Sequence, residues 1–384
     1  MLLIFLLVLS PVISWTVVSP ENTNFVPTSI DRTESWSFIA PQATLSGAPV
    51  ILSERVYWQT DNALYKLALS SGALLSELAI NTSRPTSLFS SPSHTSMVMR
   101  LSNDDATTIN FLSPDLQIAS SQPFNPRNPV ADRSGFVFCQ SFTLHRFSFN
   151  GELLNRRSIK NNVNLVAAPD GYYGYAFGAI YQFEGNLRMR WEARQRAVSN
   201  FVADNQRSMV FFTSDFHLHP TLIFLHGIYT GSGHAVDIFK QNITKLTSRE
   251  RVVFSAVGQN GDVIYGLNGR DEGLVLRLVV IPNFGSRYGE PKEIKILSEN
   301  ADYQGHVVFP SNLIAVSFYE KSGDFEGTRV VFVNLNGDIQ ILSNYTQKFE
   351  NFRGSSVVGF GDLCIVLVLS EISTGNSKLV STCQ

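Results

Sequence analysis

The sequence predicts an all-β chain folded as an eight-bladed β-propeller, seven being the nearest alternative count, closed by an N-terminal strand pairing with the C-terminal blade. Three observations predict it. One strand–turn–strand junction recurs along most of the chain at intervals near forty residues. The 28 Phe, 12 Tyr, 26 Gly and 16 Pro among 384 residues favour many short strands separated by turns. The last unit offers three strands where the others offer four, and a lone strand precedes the first unit.

Taken in order, residues 1–14 (MLLIFLLVLSPVIS) read as a signal peptide. Leu2 to Leu9 is unbroken apolar sequence, Pro11 follows, and Val12 and Ser14 sit at −3 and −1 of a cut before Trp15. The apolar run is too short to span a bilayer, and no later run reaches the length of a spanning helix. Residues 15–34 form an N-terminal extension, and 35–384 a single domain. The segment SWSFIA (35–40) is the lone strand. The first full unit is clearest: 49–52, 55–59, 63–69 and 74–80 read as four strands, the last two joined by Ser70-Ser71-Gly72, where glycine supplies positive φ. The same junction returns around Asp115, Gly151, Gly185 and Gly337, at spacings of 43, 36, 34 and 152, the last being three longer units. Units five and six fall at 200–246 and 252–297, and 355–383 gives the final three strands. A four-stranded sheet with two apolar faces cannot stand alone, so the units must stack, and radial stacking leaves only short outer edges.

From Trp36 to Ile80 the sequence resembles the repeat of the quinoprotein-like (pyrroloquinoline quinone-type) propellers. Val56-Tyr57-Trp58, Leu64-Tyr65-Lys66-Leu67, Ser71-Gly72 and Leu74-Leu75 match that repeat in order, and Trp191 occupies the outer-strand position held by Trp36. The resemblance implies the propeller fold. It is shared with quinone-dependent dehydrogenases, but also with the bacterial outer-membrane assembly propeller and the luminal sensor domains of stress kinases, which use the repeat without quinone.

Cys139, Cys364 and Cys383 allow one internal bridge. Cys364 begins one apolar strand and Cys383 ends the next, and a turn at Ser373-Thr374-Gly375-Asn376 sets them opposite each other. A Cys364–Cys383 disulfide is therefore expected, its loop of about 18 residues worth about 3 kcal/mol. Cys139 reads as a buried small hydrophobe. Three N-x-S/T sequons, at Asn81, Asn242 and Asn344, fall on or just after expected outer strands, where a glycan is accessible and protects a sheet edge.

Lys+Arg 30 against Asp+Glu 32 gives no electrostatic case for nucleic acid. The segment 219–234 (HPTLIFLHGIYTGSGH) has the His-Gly and Gly/Ser loop of a hydrolase oxyanion segment, but no G-x-S-x-G accompanies it. His217-x-His219, with His226 and His234 nearby, sets imidazoles on one strand face without defined metal-ligand spacing. The adjacent Cys-Cys pair of the quinone enzymes is absent, as is the S-x-D-x-G-x-T-W box of sialidases, and paired carboxylates for glycosidase chemistry lack a supporting motif. Asp170-Gly171 and Asn260-Gly261-Asp262 read as turns. The expected function is an exported, monomeric, non-enzymatic scaffold, needing no cofactor or metal, that binds an extracellular or luminal protein, peptide or glycan through its loop face. The loops 217–233 and 282–291, with His217, His219, Arg287 and Tyr288, are the expected contact face. The alternative is a channel-centred enzyme such as a quinone-dependent dehydrogenase.

Overall fold

The computed structural model describes residues 3–5, 16–18, 36–41, 43, 45–83, 88–90, 96–102, 107–124, 127–132, 135–168, 171–176, 178–194, 198–204, 209–215, 222–229, 235–236, 242–245, 251–268, 276–283, 288–295, 301–336, 339–342 and 346–383. Every element among them is a strand. Seven sheets are each built from consecutive antiparallel strands. They are blade 1 (50–79), blade 2 (89–122), blade 3 (127–158), blade 4 (164–194), blade 5 (198–245), blade 6 (251–295) and blade 7 (301–350). A further sheet is composite: Trp36–Ile39 pairs antiparallel with Ser377–Cys383, followed by Cys364–Glu371 and Phe352–Phe360. None of the sheets closes on itself. Apart from these, Leu3–Phe5 pairs with Thr16–Val18.

The first strands of successive sheets touch in sequence from Val50–Leu52 through Phe352–Phe360, and the last touches the first. The core follows the same circuit, lying as slabs between neighbouring sheets. Strand alternation builds these slabs: Phe136 and Phe138 face blade 2, while Val137 and Cys139 face blade 4. Likewise Phe211 packs towards blade 6, whereas Val210 and Phe212 pack towards blade 4. Each strand is thus buried on both faces, which explains continuous apolar runs such as FVFC and MVFF.

The recurring junction has a structural reason. In blades 1 to 4 the turn between third and fourth strands carries one left-handed residue: Gly72 (φ 67°), Leu116 (61°), Gly151 (82°) and Leu187 (68°). A β-bulge accompanies each turn, at Lys66/Leu67, Phe111/Leu112, Arg146/Phe147 and Gln182/Phe183. Gly185, the residue expected to shape the fourth turn, is not in the left-handed region; Leu187 takes that role, and its burial offsets the backbone cost. Each turn docks on the preceding sheet. Gly72 lies under the Trp36 ring, where a Cβ would come within 2.4 Å, and Trp36 Nε1 donates to the Leu69 carbonyl at 2.7 Å. Gly151 sits against Phe111 and Ser120 of blade 2, and Asn155 Nδ2 donates to the Asn186 carbonyl at 2.6 Å.

Cys364 and Cys383 are register partners in one hairpin and form a disulfide with an S–S distance of 2.04 Å. The hairpin turns where expected: Gly375 is left-handed (φ 74°), and its N–H donates to the Glu371 carbonyl at 2.8 Å. Cys139 is buried and outside the disulfide, its Sγ accepting from Val163 N–H at 3.4 Å. Blades 5 and 7 depart from the four-strand plan. In each, the third strand carries two short outer partners, Ala235–Val236 and Asn242–Lys245 on Leu222–Tyr229, and Gln340–Ile341 and Gln347–Glu350 on Phe325–Asn334. A third strand of eight or ten residues is long enough for two.

Candidate binding cleft

Between the outer parts of blades 3 and 4 lies a cleft of about 350 Å³, within the roughly 300–1,000 Å³ typical of ligand sites. Its floor is apolar: Ile159, Val163, Tyr181, Phe183 and Met189. Strand alternation supplies Tyr181 and Phe183, which stack at 6.1 Å, and Met189, opposite Phe183 beside the bulge, is 39% exposed at the mouth. The connection between the blades is held from both sides. Ile159 N–H donates to the Phe142 carbonyl at 2.8 Å, Phe142 N–H to Asn162 Oδ1 at 2.6 Å, and Asn161 Nδ2 to the Tyr181 hydroxyl at 2.7 Å. A floor fixed in this way is preorganised, so a ligand would not have to order it.

The rim is cationic. Of the charged residues lining it, Arg157 and Lys160 are cationic and Glu192 is acidic; the strands that carry them, 153–160 and 188–194, also hold Arg156, Arg188, Arg190 and Arg194. Together the two strands hold six of the chain's 30 Lys and Arg, set against a single acid, Glu192. Arg190 reaches Glu184 at 3.7 Å; among the described residues Arg156, Arg157, Lys160 and Arg188 form no ion pair. A nearly neutral chain therefore carries a local excess of positive charge beside an apolar floor. Deeper between the same blades, Asp132 accepts from Arg146 at 3.0 Å and from the Tyr172 hydroxyl. Burial, then the Asp132 charge, pushes the Tyr172 phenol well above its ordinary range, so it stays a donor.

Of the residues expected at the contact face, His217, His219 and Arg287 lie outside the described residues. Tyr288 is half-buried, its ring edge-on to Phe211 at 5.7 Å. The loop 282–291 folds back through Gly289 N–H to the Pro282 carbonyl at 2.8 Å and a bridge between Asn283 and Tyr288. Within 217–233, residues Leu222–Tyr229 are a strand; His226 and Gly227 pair with Phe212 and Phe211, so their backbone belongs to the ladder and not to an oxyanion turn. Asn81 is exposed after the edge strand Leu74–Ala79, and Asn242 begins the outer strand Asn242–Lys245; Asn344 lies outside the described residues. Asn260-Gly261-Asp262 is a turn, with Gly261 N–H donating to the Gly258 carbonyl at 2.9 Å. Of Asp170-Gly171, Asp170 lies outside the described residues and Gly171 begins a strand. No three His, Cys, Asp or Glu among the described residues cluster as metal ligands, and no helix among them is long and apolar enough to cross a membrane.

The cleft was missed in the sequence because its two walls are thirty residues apart. The readable signal was charge: NRRSIK and RMRWEAR stand out among outer strands otherwise composed of residues such as LLSELA and IASSQ. The quinone of the resembling enzymes does not fit these cysteines: Cys364 and Cys383 are committed to a cross-strand bridge and Cys139 lies within blade 3, so no adjacent Cys-Cys pair can cover a cofactor ring.

No family model and no curated protein matches the chain. Among solved structures it is similar to BamB from Moraxella catarrhalis, with a TM-score of 0.61 and 11% identity, over 92% of this chain and 98% of that one. It is also similar to a eukaryotic initiation factor, with a TM-score of 0.53 and 10% identity, over 99% and 93%. At these identities the likeness is one of fold. The chain is an all-β β-propeller.

Proposed function

We propose that this chain is an exported, monomeric binding scaffold: an eight-bladed ring, fastened by the composite sheet, that presents fixed surfaces to a protein, peptide or glycan partner. The observation that carries the binding role is the preorganised, apolar-floored cleft with its cationic rim. The count of eight draws on the circuit of touching first strands and on core slabs that fill every junction along it. Export draws on the apolar leader, the disulfide and the sequons. In this reading residues 1–14 are removed, 15–34 extend from the ring, and Asn81, Asn242 and Asn344 carry glycans, with His217, His219, Arg287 and Tyr288 forming a second contact region. The quinoprotein-type repeat is then a scaffold inherited without its chemistry.

The test has two arms. Expression in a secretory host should yield medium protein beginning at Trp15 whose mass falls on enzymatic deglycosylation; retention in the cell with an intact leader would overturn export. Purified chain offered to a displayed peptide library and a glycan array should select a defined ligand class. Selection of nothing, together with dye reduction after incubation with quinone and calcium, would overturn the scaffold in favour of the dehydrogenase.

A further inference from the structure

We propose that the cleft between blades 3 and 4 is a receptor for an extended acidic peptide that inserts one large apolar side chain. This rests on the scaffold reading and gives it a ligand chemistry. The floor formed by Ile159, Val163, Tyr181, Phe183 and Met189 offers apolar contact to an inserted side chain. The rim supplies the complementary charge: Arg157 and Lys160 line the cleft directly, against the single lining acid Glu192. The Arg157 guanidinium, which forms no ion pair among the described residues, is suited to bidentate capture of an Asp or Glu side chain. Met189–Arg194 is the last strand of its sheet, so its outer ladder edge is open to an extended backbone. Apolar floor, cationic rim and open edge together select a peptide. A sulfated glycan or a polynucleotide would use the rim alone.

The probe is a fluorescein-labelled peptide with a Phe-Leu pair flanked on each side by four Glu or Asp, titrated against the full chain and followed by anisotropy. Micromolar binding is expected. It should weaken at least tenfold when Phe-Leu is replaced by Gly-Gly, and at least tenfold in R157E/K160E, whose two substitutions are on exposed positions and should leave the melting temperature unchanged. M189A should weaken binding several-fold with no change in salt dependence, which separates the floor from the rim. A heparin hexasaccharide should bind more weakly than the peptide and be indifferent to M189A. If the Gly-Gly peptide or heparin binds as tightly as the probe, the cleft is a plain anion site and the proposal falls. Unchanged probe affinity in both cleft variants also overturns it. Ligands selected in the library screen that do not compete with the probe would remove the cleft assignment and leave the scaffold standing.

Discussion

Two junctions between neighbouring sheets are held together by different physics. Where the composite sheet meets blade 1, the contact is apolar and aromatic. Trp36 covers Gly72, Phe38 meets Tyr65 at 5.1 Å and Trp58 at 6.5 Å, and Val358, Val366, Val368 and Leu379 complete the slab. Around blade 7, polar groups are buried instead. His306 stacks on Phe254 of blade 6 at 4.0 Å and shares a hydrogen bond with the Tyr303 hydroxyl at 2.7 Å. Glu320 is buried against Arg329 at 2.7 Å. On the other side, Gly354 N–H of the composite sheet donates to Thr328 Oγ1 at 2.6 Å, and the Thr328 hydroxyl can donate to the Phe352 carbonyl at 3.0 Å. One architecture thus tolerates two kinds of adhesion. The apolar one is insensitive to pH, while the polar one carries groups whose burial depends on their protonation state.

The apolar junction is broken most severely at Trp36. Trp36→Ala removes a half-buried indole and its bond to Leu69, and a loss of about 2–4 kcal/mol is expected in urea unfolding. Gly72→Ala should cost about 3 kcal/mol, because a Cβ must both occupy the indole's space and accept φ of 67°. The informative experiment is the double variant. With the indole gone, the alanine at 72 meets only the backbone cost of about 1 kcal/mol, so the two effects should fall well short of adding. Strict additivity would mean that Trp36 does not sit on that turn.

The polar junction should fail in acid. Burial lowers the His306 pKa from 6.5 to about 3. The unfolded chain therefore takes up a proton below about pH 6.5 that the folded chain refuses until about pH 3. Stability is fully present above pH 6.5 and declines as pH falls towards 3, approaching about 1.4 kcal/mol per pH unit. Between pH 6.5 and 5 the loss should be about 1.5–2 kcal/mol, with His145, lowered by burial and by Arg156, acting in the same direction. His306→Phe keeps the stack on Phe254 and should flatten that part of the profile. An unchanged slope would place the acid sensitivity elsewhere.

The apolar junction was largely legible in the sequence, and the polar one was not. The unpartnered segment around Trp36, the three-strand final unit and the Cys364/Cys383 spacing each point to a specific pairing, because strand count and hairpin register are local arithmetic. The first blade was readable to within a residue or two at each strand end, since its Gly72 turn and its alternation agree. Leu187 in the left-handed region was hidden: nothing in EGNLRM marks leucine over its neighbouring glycine, and only burial against the adjacent sheet pays for the choice. His306 looked like any strand histidine, because stacking on Phe254 is a contact across fifty residues. The contact of Tyr288 with Phe211 was hidden for the same reason, the two rings lying on neighbouring blades. The cleft shares this origin, two strands meeting only after the blades stack.

The smallest effect sharpens what holds a docked turn in place. In blade 2 that turn meets blade 1 through three contacts: the Lys66–Asp115 ion pair at 2.9 Å, the Tyr57 hydroxyl donating to the Pro114 carbonyl at 3.0 Å, and buried Leu116. Asp115 is 79% exposed and Lys66 15%, so solvent screens the pair from one side. Asp115→Asn should cost under about 0.5 kcal/mol, and less at high salt. Tyr57→Phe leaves a carbonyl without its donor and should cost about 1 kcal/mol, independent of salt. If Asp115→Asn proved the more damaging of the two, the turn would be held by charge. The distinction between the apolar and polar junctions would then have to be redrawn to include the rim of blade 1.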